Sequence, residues 1–447
     1  MKIAFVPIDN RPVCYTLPKI IASIDKSIDF YLPDRSLLGD LDKSADIKNL
    51  YNWLNDLPKL DVIIISLDTL TYGGLIPSRR CDDSFEKIKN RIEKLKSILQ
   101  SKESKIYAVS SIMRISNNYC NEEEKLYWSL YGKDIFEYSY NLDKFGHAVA
   151  NVPQEIMEDY LSTRKRNFEI NKIFLDWKKE GLFNTLIFSK DDCAPFGLNV
   201  KEARELEQLG GYTKTGADEI PLSLLSKSLE KSLKICPIFI EPNEKGLISN
   251  YEDVSVENSV KGQIELAGCD ISQKEEADIL LYINNFIGHQ GEIVMKQPTQ
   301  MFDGQFKSPN KYYMVADVRF ANGADNNFIQ ELFKNNLAES NFYGYSAWNT
   351  TANTLGSLIC GAKMKFLAEK YKNYNKEGFE KLQITRFLDD WAYQANVRQE
   401  LTEPNTDDLR LKIKKYEKDV SRVLQTDIDV SYKYPWNRLF EVEIEFN

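Results

Sequence analysis

Nine short apolar runs punctuate the chain, each set off from the next by a longer amphipathic or polar stretch, and this alternation restricts the fold more than any other feature of the sequence. The runs are 3–8, 28–32, 61–67, 105–112, 184–189, 236–240, 278–283, 312–316 and 342–346. Apolar runs of this length bounded by turns read as strands, and amphipathic segments between them read as the covering helices of βα units around a parallel sheet. Helical spacing of Phe85, Ile88, Ile92, Leu95 and Leu99 predicts a helix over 84–100, and Ile156, Tyr160, Ile170, Phe174 and Trp177 predict one over 154–180. Further helices are expected at 199–209, 219–233, 325–337 and 352–372; the stretch 378–424 reads as helical and charged, and the last residues as extended.

Polar residues gather just beyond the strand ends. In order they are Asp9-Asn10-Arg11, Asp34-Arg35, Asp68 with Tyr72, Arg114, Asp191-Asp192, Glu241, Asn284-Asn285, Asp317 and Trp348-Asn349. In parallel α/β architectures ligands bind at the carboxyl ends of strands, where the chain turns and can present side chains without giving up core positions. Because almost every strand contributes, the expected fold is a TIM-barrel-like parallel sheet ringed by helices over 1–375, with a helical C-terminal extension over 376–447. Two or more open-sheet, Rossmann-like domains are the alternative. No repeat, low-complexity tract or Pro/Ser-rich linker marks a boundary.

Charge narrows the partners. With 58 Lys and Arg against 67 Asp and Glu the net charge is −9, which repels nucleic acid and anionic membrane surfaces, and there is no long basic run to offset it. No apolar stretch approaches the ~20 residues of a membrane helix, and Asp9, Asn10 and Arg11 interrupt the first apolar run too early for a signal sequence. A cytoplasmic location is expected. The seven cysteines are odd in number and without a CxxC pair, which argues for reduced thiols. With only His147 and His289 present, a histidine-rich metal site or a Ser-His-Asp triad has few ways to form. Catalysis would rest on carboxylates.

ISLDTLTYGGLIPSRR (65–80) joins a strand to Asp68, Tyr72, a glycine pair and Arg79. The glycines serve either close approach of a ligand or simply positive φ in a turn, and Asp68 and Arg79 are either site residues or a structural ion pair. Neither GxGxxG nor GxxxxGK occurs, and no cofactor is expected. FSKDDCAPFG (188–197) sets Asp191 and Asp192 at a strand end, where adjacent acids disfavour joint ionisation and raise one pKa toward the range a general acid needs. In TGADEIPLSLL (215–225), Asp218 reads as a helix cap or a site acid beside Glu219. DVRFANGADNNF and SAWNTTANTLG carry Asp317, Trp348 and Asn349, mixed donors and acceptors beside an aromatic face, which suit a sugar. Asp389 and Asp390 in RFLDDWAYQANVR read as partners of Arg386 and Arg398 on a solvated helix face.

Taken together, PIDNRPVCY, SLDTLTYGGLIPSR, SIMRIS, FSKDDCAPFG, GADE, NGAD, SAWNTTANTLG, RFLDDWAYQ and PWNRLFE resemble the ordered motif series of the bacterial family DUF4127 along essentially the whole chain. That resemblance implies one integrated unit and no particular activity. The Asp191-Asp192 pair alone is similar to that of O-GlcNAcase-like hexosaminidases, which implies one acid positioning an acetamide and the next protonating the leaving oxygen.

The resulting expectation is a glycoside hydrolase-like enzyme for an acidic or N-acetylated sugar, with Asp192 as general acid/base and Asp191 or Glu219 as its partner. Asp9, Arg11, Asp68, Tyr72, Arg79, Arg114, Asn284, Asp317, Trp348 and Asn349 would line a substrate pocket, the arginines gripping an anionic or hydroxylated part. A magnesium- or manganese-dependent phosphoester hydrolase using Asp9, Asp68, Asp191 and Asp317, and a non-catalytic carbohydrate-binding protein, are the alternatives. Titration of the denatured, non-reduced protein should count seven thiols, one for each cysteine of the sequence; a lower count would contradict the reading from cysteine number.

Overall fold

The computed structural model describes residues 1–191, 193–338 and 341–447. Its contacts divide the chain into two compact units, Met1–Tyr15 with Asp29–Pro221, and Thr16–Ile28 with Leu222–Asn447. Among the described residues no helix is long and apolar enough to cross a membrane.

The first unit holds strands β1 (Lys2–Val6), β2 (Asp29–Tyr31), β3 (Val62–Ser66), β4 (Lys105–Ile112), β5 (Thr185–Lys190) and β6 (Thr213–Thr215). They pair in parallel in the order β2-β1-β3-β4-β5-β6. After β1 the chain builds outward to β2, then returns past β1 to begin β3, so the connections diverge between β1 and β3. This 2-1-3-4-5 order is that of flavodoxin-like doubly wound sheets, whose ligands sit at the divergence. Helix α1 (Thr16–Ala22) belongs to the second unit, as does α9 (Ile220–Ser228) from Leu222 onward. Of α2 (Ile47–Asp56), α3 (Leu67–Tyr72), α4 (Leu75–Arg80), α5 (Phe85–Gln100), α6 (Trp128–Phe145), α7 (Gln154–Lys179) and α8 (Leu198–Gln208), α2, α5 and α7 supply most of the cover of one sheet face. Leu50, Leu54, Ile88, Ile92, Leu95, Leu99, Phe174 and Trp177 pack there on Ala4, Val6, Ile63 and Ile65. The intervening Ile3, Phe5 and Ile64 are equally buried, so both faces are covered. The unbroken VIII of β3 is the sequence of such a strand.

The second unit holds β7 (Lys234–Phe239), β8 (Asp270–Ile271), β9 (Ile279–Asn284), β10 (Gly291–Glu292), β11 (Tyr313–Asp317), β12 (Phe320–Ala321), β13 (Phe342–Ser346), β14 (Val430–Lys433) and β15 (Glu443–Phe446). Five of these make a parallel sheet in the order β13-β11-β9-β7-β8, again the 2-1-3-4-5 order when counted from β7. Leu280, Tyr313 and Val315 face a core completed by Phe328, Phe387 and Ile413. Ile279, Leu281, Met314 and Ala316 face Val260, Ile264, Leu355 and Ile359. Helices α10 (Val256–Leu266), α11 (Asn326–Leu332), α12 (Thr351–Lys370), α13 (Lys376–Arg386) and α14 (Thr406–Leu424) provide the layers, and α1 packs with α12 and α13.

The α/β class and parallel, helix-flanked sheets are as the sequence predicts. All nine expected strands form within two residues of their predicted ends. They are shared between two sheets, and the pairing among the described residues does not close an eight-stranded barrel. Strands β6 and β8 were not anticipated because three and two residues carry no periodicity to detect. Residues 387–396 are also not a solvated helix face. They form a π-helix in which Asp389 and Asp390 are buried, with Arg386 Nη1 3.3 Å from Asp390 and Nη2 3.7 Å from Asp389.

Ile64, fully buried in β3 between β1 and β4, offers a direct measure of this packing. Ile64→Ala should cost ~2–5 kcal/mol in denaturant unfolding; a loss below ~1 kcal/mol would mean that the sheet is not close-packed on that face.

Candidate active site at the carboxyl edge of the first sheet

The turns that leave β1, β3, β4, β5 and β6 carry the charged residues of the first unit. Beyond β1, Asp9 folds back on Arg11: its Oδ1 accepts the Arg11 backbone N–H at 3.0 Å and its Oδ2 accepts Nε at 2.8 Å. The remaining guanidinium edge is used by Asp218, beyond β6, which accepts from Nη1 at 3.1 Å and Nη2 at 2.6 Å. Such a two-pronged pair is strong and directional. All three side chains are buried. Asp218 therefore serves Arg11 with both oxygens. Burial raises its pKa, Arg11 pulls it down, and the Asp9 and Glu123 charges add to the rise.

Asp68 enters from α3 immediately after β3. Its Oδ2 accepts the backbone N–H of Ser111 in β4 at 2.9 Å, and the neighbouring Thr69 hydroxyl donates to the Pro7 and Ile8 carbonyls beyond β1. One short helix thus ties three strand ends together. Gly73 ends it with a left-handed φ of 95°, where an added Cβ would stand 2.8 Å from the Ser44 Cβ. This glycine serves the turn and a tight contact. Burial raises the Asp68 carboxyl to about 6, against the lowering pull of the Ser111 hydrogen bonds and Arg79.

A second knot forms beyond β4. Arg114 donates from Nε to Glu124 at 2.9 Å, from Nη2 to Glu123 at 2.8 Å and from Nη1 to Asp191, beyond β5, at 3.3 Å. Arg79, 1% exposed, lies 3.4 Å from Glu124 and 3.7 Å from Glu123. Its Nη2 donates to the Glu123 carbonyl, while Nη1 makes no hydrogen bond although buried. Asp191 and Glu123 each keep 21% of their side chains exposed. Glu219 is 1% exposed, and its Oε2 accepts the Ala217 backbone N–H at 3.1 Å. Asp192 lies outside the described residues.

Asp9, Arg11, Asp68, Arg79, Arg114, Asp191 and Glu219 accordingly share one edge of one sheet. Tyr72 is at the far end of α3, its ring under Arg166 (5.6 Å), in the wall of a cavity between α2 and α5. Asn284, Asp317, Trp348 and Asn349 belong to the second unit. There Asp317 accepts from Asn284 Nδ2 at 2.8 Å, the Asp325 N–H at 2.8 Å and the Tyr345 hydroxyl at 3.1 Å, and burial with the Asp325 charge lifts it to about 7. Trp348 is 4% exposed. Asn349 takes a positive φ of 57° and accepts the Asn322 N–H at 2.8 Å. Among the described residues no group of three or more His, Cys, Asp or Glu side chains is arranged to hold a metal ion, and none of the seven cysteines is in a disulfide.

Glu123, Glu124 and the pairing role of Asp218 were not read from the sequence. The run NEEEK between strand and helix looks like a solvated charge cluster, and only the position of Arg114 turns it inward.

A parallel sheet flanked by helices, carrying carboxylates and arginines where its strands end, defines an α/β protein with a polar strand-edge site. The profile of the family described as Protein of unknown function (DUF4127) matches residues 3–445, and the chain belongs to that family. No curated protein and no solved structure matches it.

Asp68 makes the burial testable. The folded chain keeps this proton up to about pH 6, whereas an ordinary carboxyl at 3.8 has released it, so between those values folding takes up a proton and stability falls as pH rises. Asp68→Asn can still accept from Ser111 and carries no charge. Relative to the parent it should gain on the order of 2–3 kcal/mol between pH 4 and 7; parallel stability curves for the two proteins would contradict the raised pKa.

Proposed function

We propose that the protein is a glycoside hydrolase-like enzyme whose site is the carboxyl edge of the first unit's sheet. The observation that carries this reading is the charge balance there. Six carboxylates, Asp9, Asp68, Glu123, Glu124, Asp191 and Asp218, meet Arg11, Arg79 and Arg114, with Arg35 and Arg80 held on backbone carbonyls of the same turns. Sugar transfer passes through a cationic, oxocarbenium-like transition state, which an anionic surplus held in place beforehand stabilises.

Asp191 and Glu123 rest on neighbouring nitrogens of Arg114 at 3.3 and 2.8 Å. Asp192 is the general acid of this proposal. Asp191, exposed and oriented by Arg114, is its partner in preference to Glu219, which is buried and engaged with its own turn. Because Arg11, Arg79 and Arg114 already face carboxylates, a neutral N-acetylated or hydroxylated sugar suits the edge better than an acidic one.

Asp192→Asn should leave the fold intact and lower turnover ~10²–10⁴-fold on glycosides with poor leaving groups, and less on nitrophenyl glycosides, which need little protonation. Equal activity of parent and variant on both substrate types would remove Asp192 from the mechanism. Activity abolished by chelator and restored by magnesium would select the metal-dependent hydrolase instead.

A further inference from the structure

The helical side of the first unit contains two cavities. The larger, about 1090 Å³, lies between α2 and α5, and its lining includes Lys48, Tyr51, Asn52, Tyr72, Arg91 and Lys94. A second of about 560 Å³ shares Cys81 and Asp83 with it. Volumes of several hundred Å³ are those of small-molecule sites.

Two observations indicate what the larger cavity holds. The first is charge. Lys87 and Arg91 both pair with Asp83 at 2.5 Å, and Asp46 caps α2 by accepting the Asn49 N–H at 3.1 Å. Among the described residues no ion pair is formed by Lys48, on α2, or by Lys94, on α5, so the cavity presents uncompensated positive charge in a chain of net charge −9. The second is a stranded hydroxyl. Tyr72 is 5% exposed, and its OH is buried without a hydrogen-bond partner. An unpaired buried hydroxyl is costly, and a ligand that supplies its partner recovers that cost.

We propose that this cavity binds a small dianion, a phosphate ester or a dicarboxylate, with its charged head between Lys48 and Lys94 and an oxygen on the Tyr72 hydroxyl. The inference is independent of the activity proposed for the strand edge.

Inorganic phosphate and citrate serve as probes for the two sources of negative charge. Titration calorimetry on the full chain should show saturable binding of at least one of them, weakened tenfold or more in the double variant Lys48→Glu/Lys94→Glu and severalfold in Tyr72→Phe. Raised salt should weaken it as well. Cys81 lines the cavity and Cys120 is exposed, so saturating probe should slow alkylation of Cys81 by iodoacetamide and leave Cys120 unchanged. If the double variant does not fold, the single Lys94→Ala replaces it, with a smaller loss expected. Absence of saturable binding by both probes, binding indifferent to the charge changes, or protection of neither thiol would overturn the proposal.

Discussion

A strand covered on both faces has nowhere to place charge except at its ends, and the charged cluster at the edge of the first sheet follows from that constraint. In β3 every side chain from Val62 to Ser66 is buried, so the nearest charge is Asp68, in the first turn beyond. The same holds for Asp9 beyond β1, Arg114 beyond β4 and Asp191 beyond β5, and Asp218 follows the short edge strand β6. Because the strands are parallel, these turns share one edge, and residues as distant in sequence as Arg11 and Asp218 meet at 2.6 Å.

Once gathered, the charges cannot be treated singly. Arg11 is shared by two carboxylates and Arg114 by three, so removing one acid changes the charge that the others meet on the guanidinium they share. Asp218 shows the balance. Burial raises it, the guanidinium that donates to both its oxygens lowers it, and Asp9 and Glu123 raise it again. Asp68, lifted by burial to about 6, keeps its proton well above the ordinary carboxylate range without a histidine, in a chain that has only two.

The strands were legible because apolar runs buried on both faces are the strongest periodic signal a sequence carries, and β4 and β13 were placed to the residue. Sheet closure was not legible. Runs such as IAFVPI and DVIIISL read the same whether their neighbours continue into a ring or end in a two-residue edge such as β8. Of the proposed site, Asp9, Arg11, Asp68, Arg114 and Asp191 could be read at a strand edge because each directly follows an apolar run, whereas Arg79 stood out only with the GGLIPSRR turn. Glu123 and Glu124 lie ten residues or more beyond β4, and only the folded loop returns them to Arg114. Asp389 and Asp390 were read as solvated because an α-helical wheel places them beside Arg386. The π-helix changes that wheel, and Asp390 instead receives the Ala347 N–H at the end of β13.

The two sheets share a strand order, yet their polar edges differ in a way that bears on function. In the second unit Arg319 is fully buried, with each nitrogen matched: Nε to Asn284, Nη1 to the Gln300 carbonyl and Nη2 to Glu241. Both oxygens of Asp317 are likewise engaged. A buried network satisfied to that degree fixes loops and has little left to offer a ligand. In the first unit Asp191 and Glu123 remain partly exposed, Arg79 keeps an unmatched nitrogen, and acids outnumber guanidinium groups. Residual exposure, an unmet donor and unbalanced charge cost stability wherever they occur. The second unit has unmatched groups of its own, Arg386 Nε and Nη1 beside Asp390 Oδ1, so what sets the first edge apart is the partial exposure of Asp191 and Glu123, and the proposed site rests on that exposure.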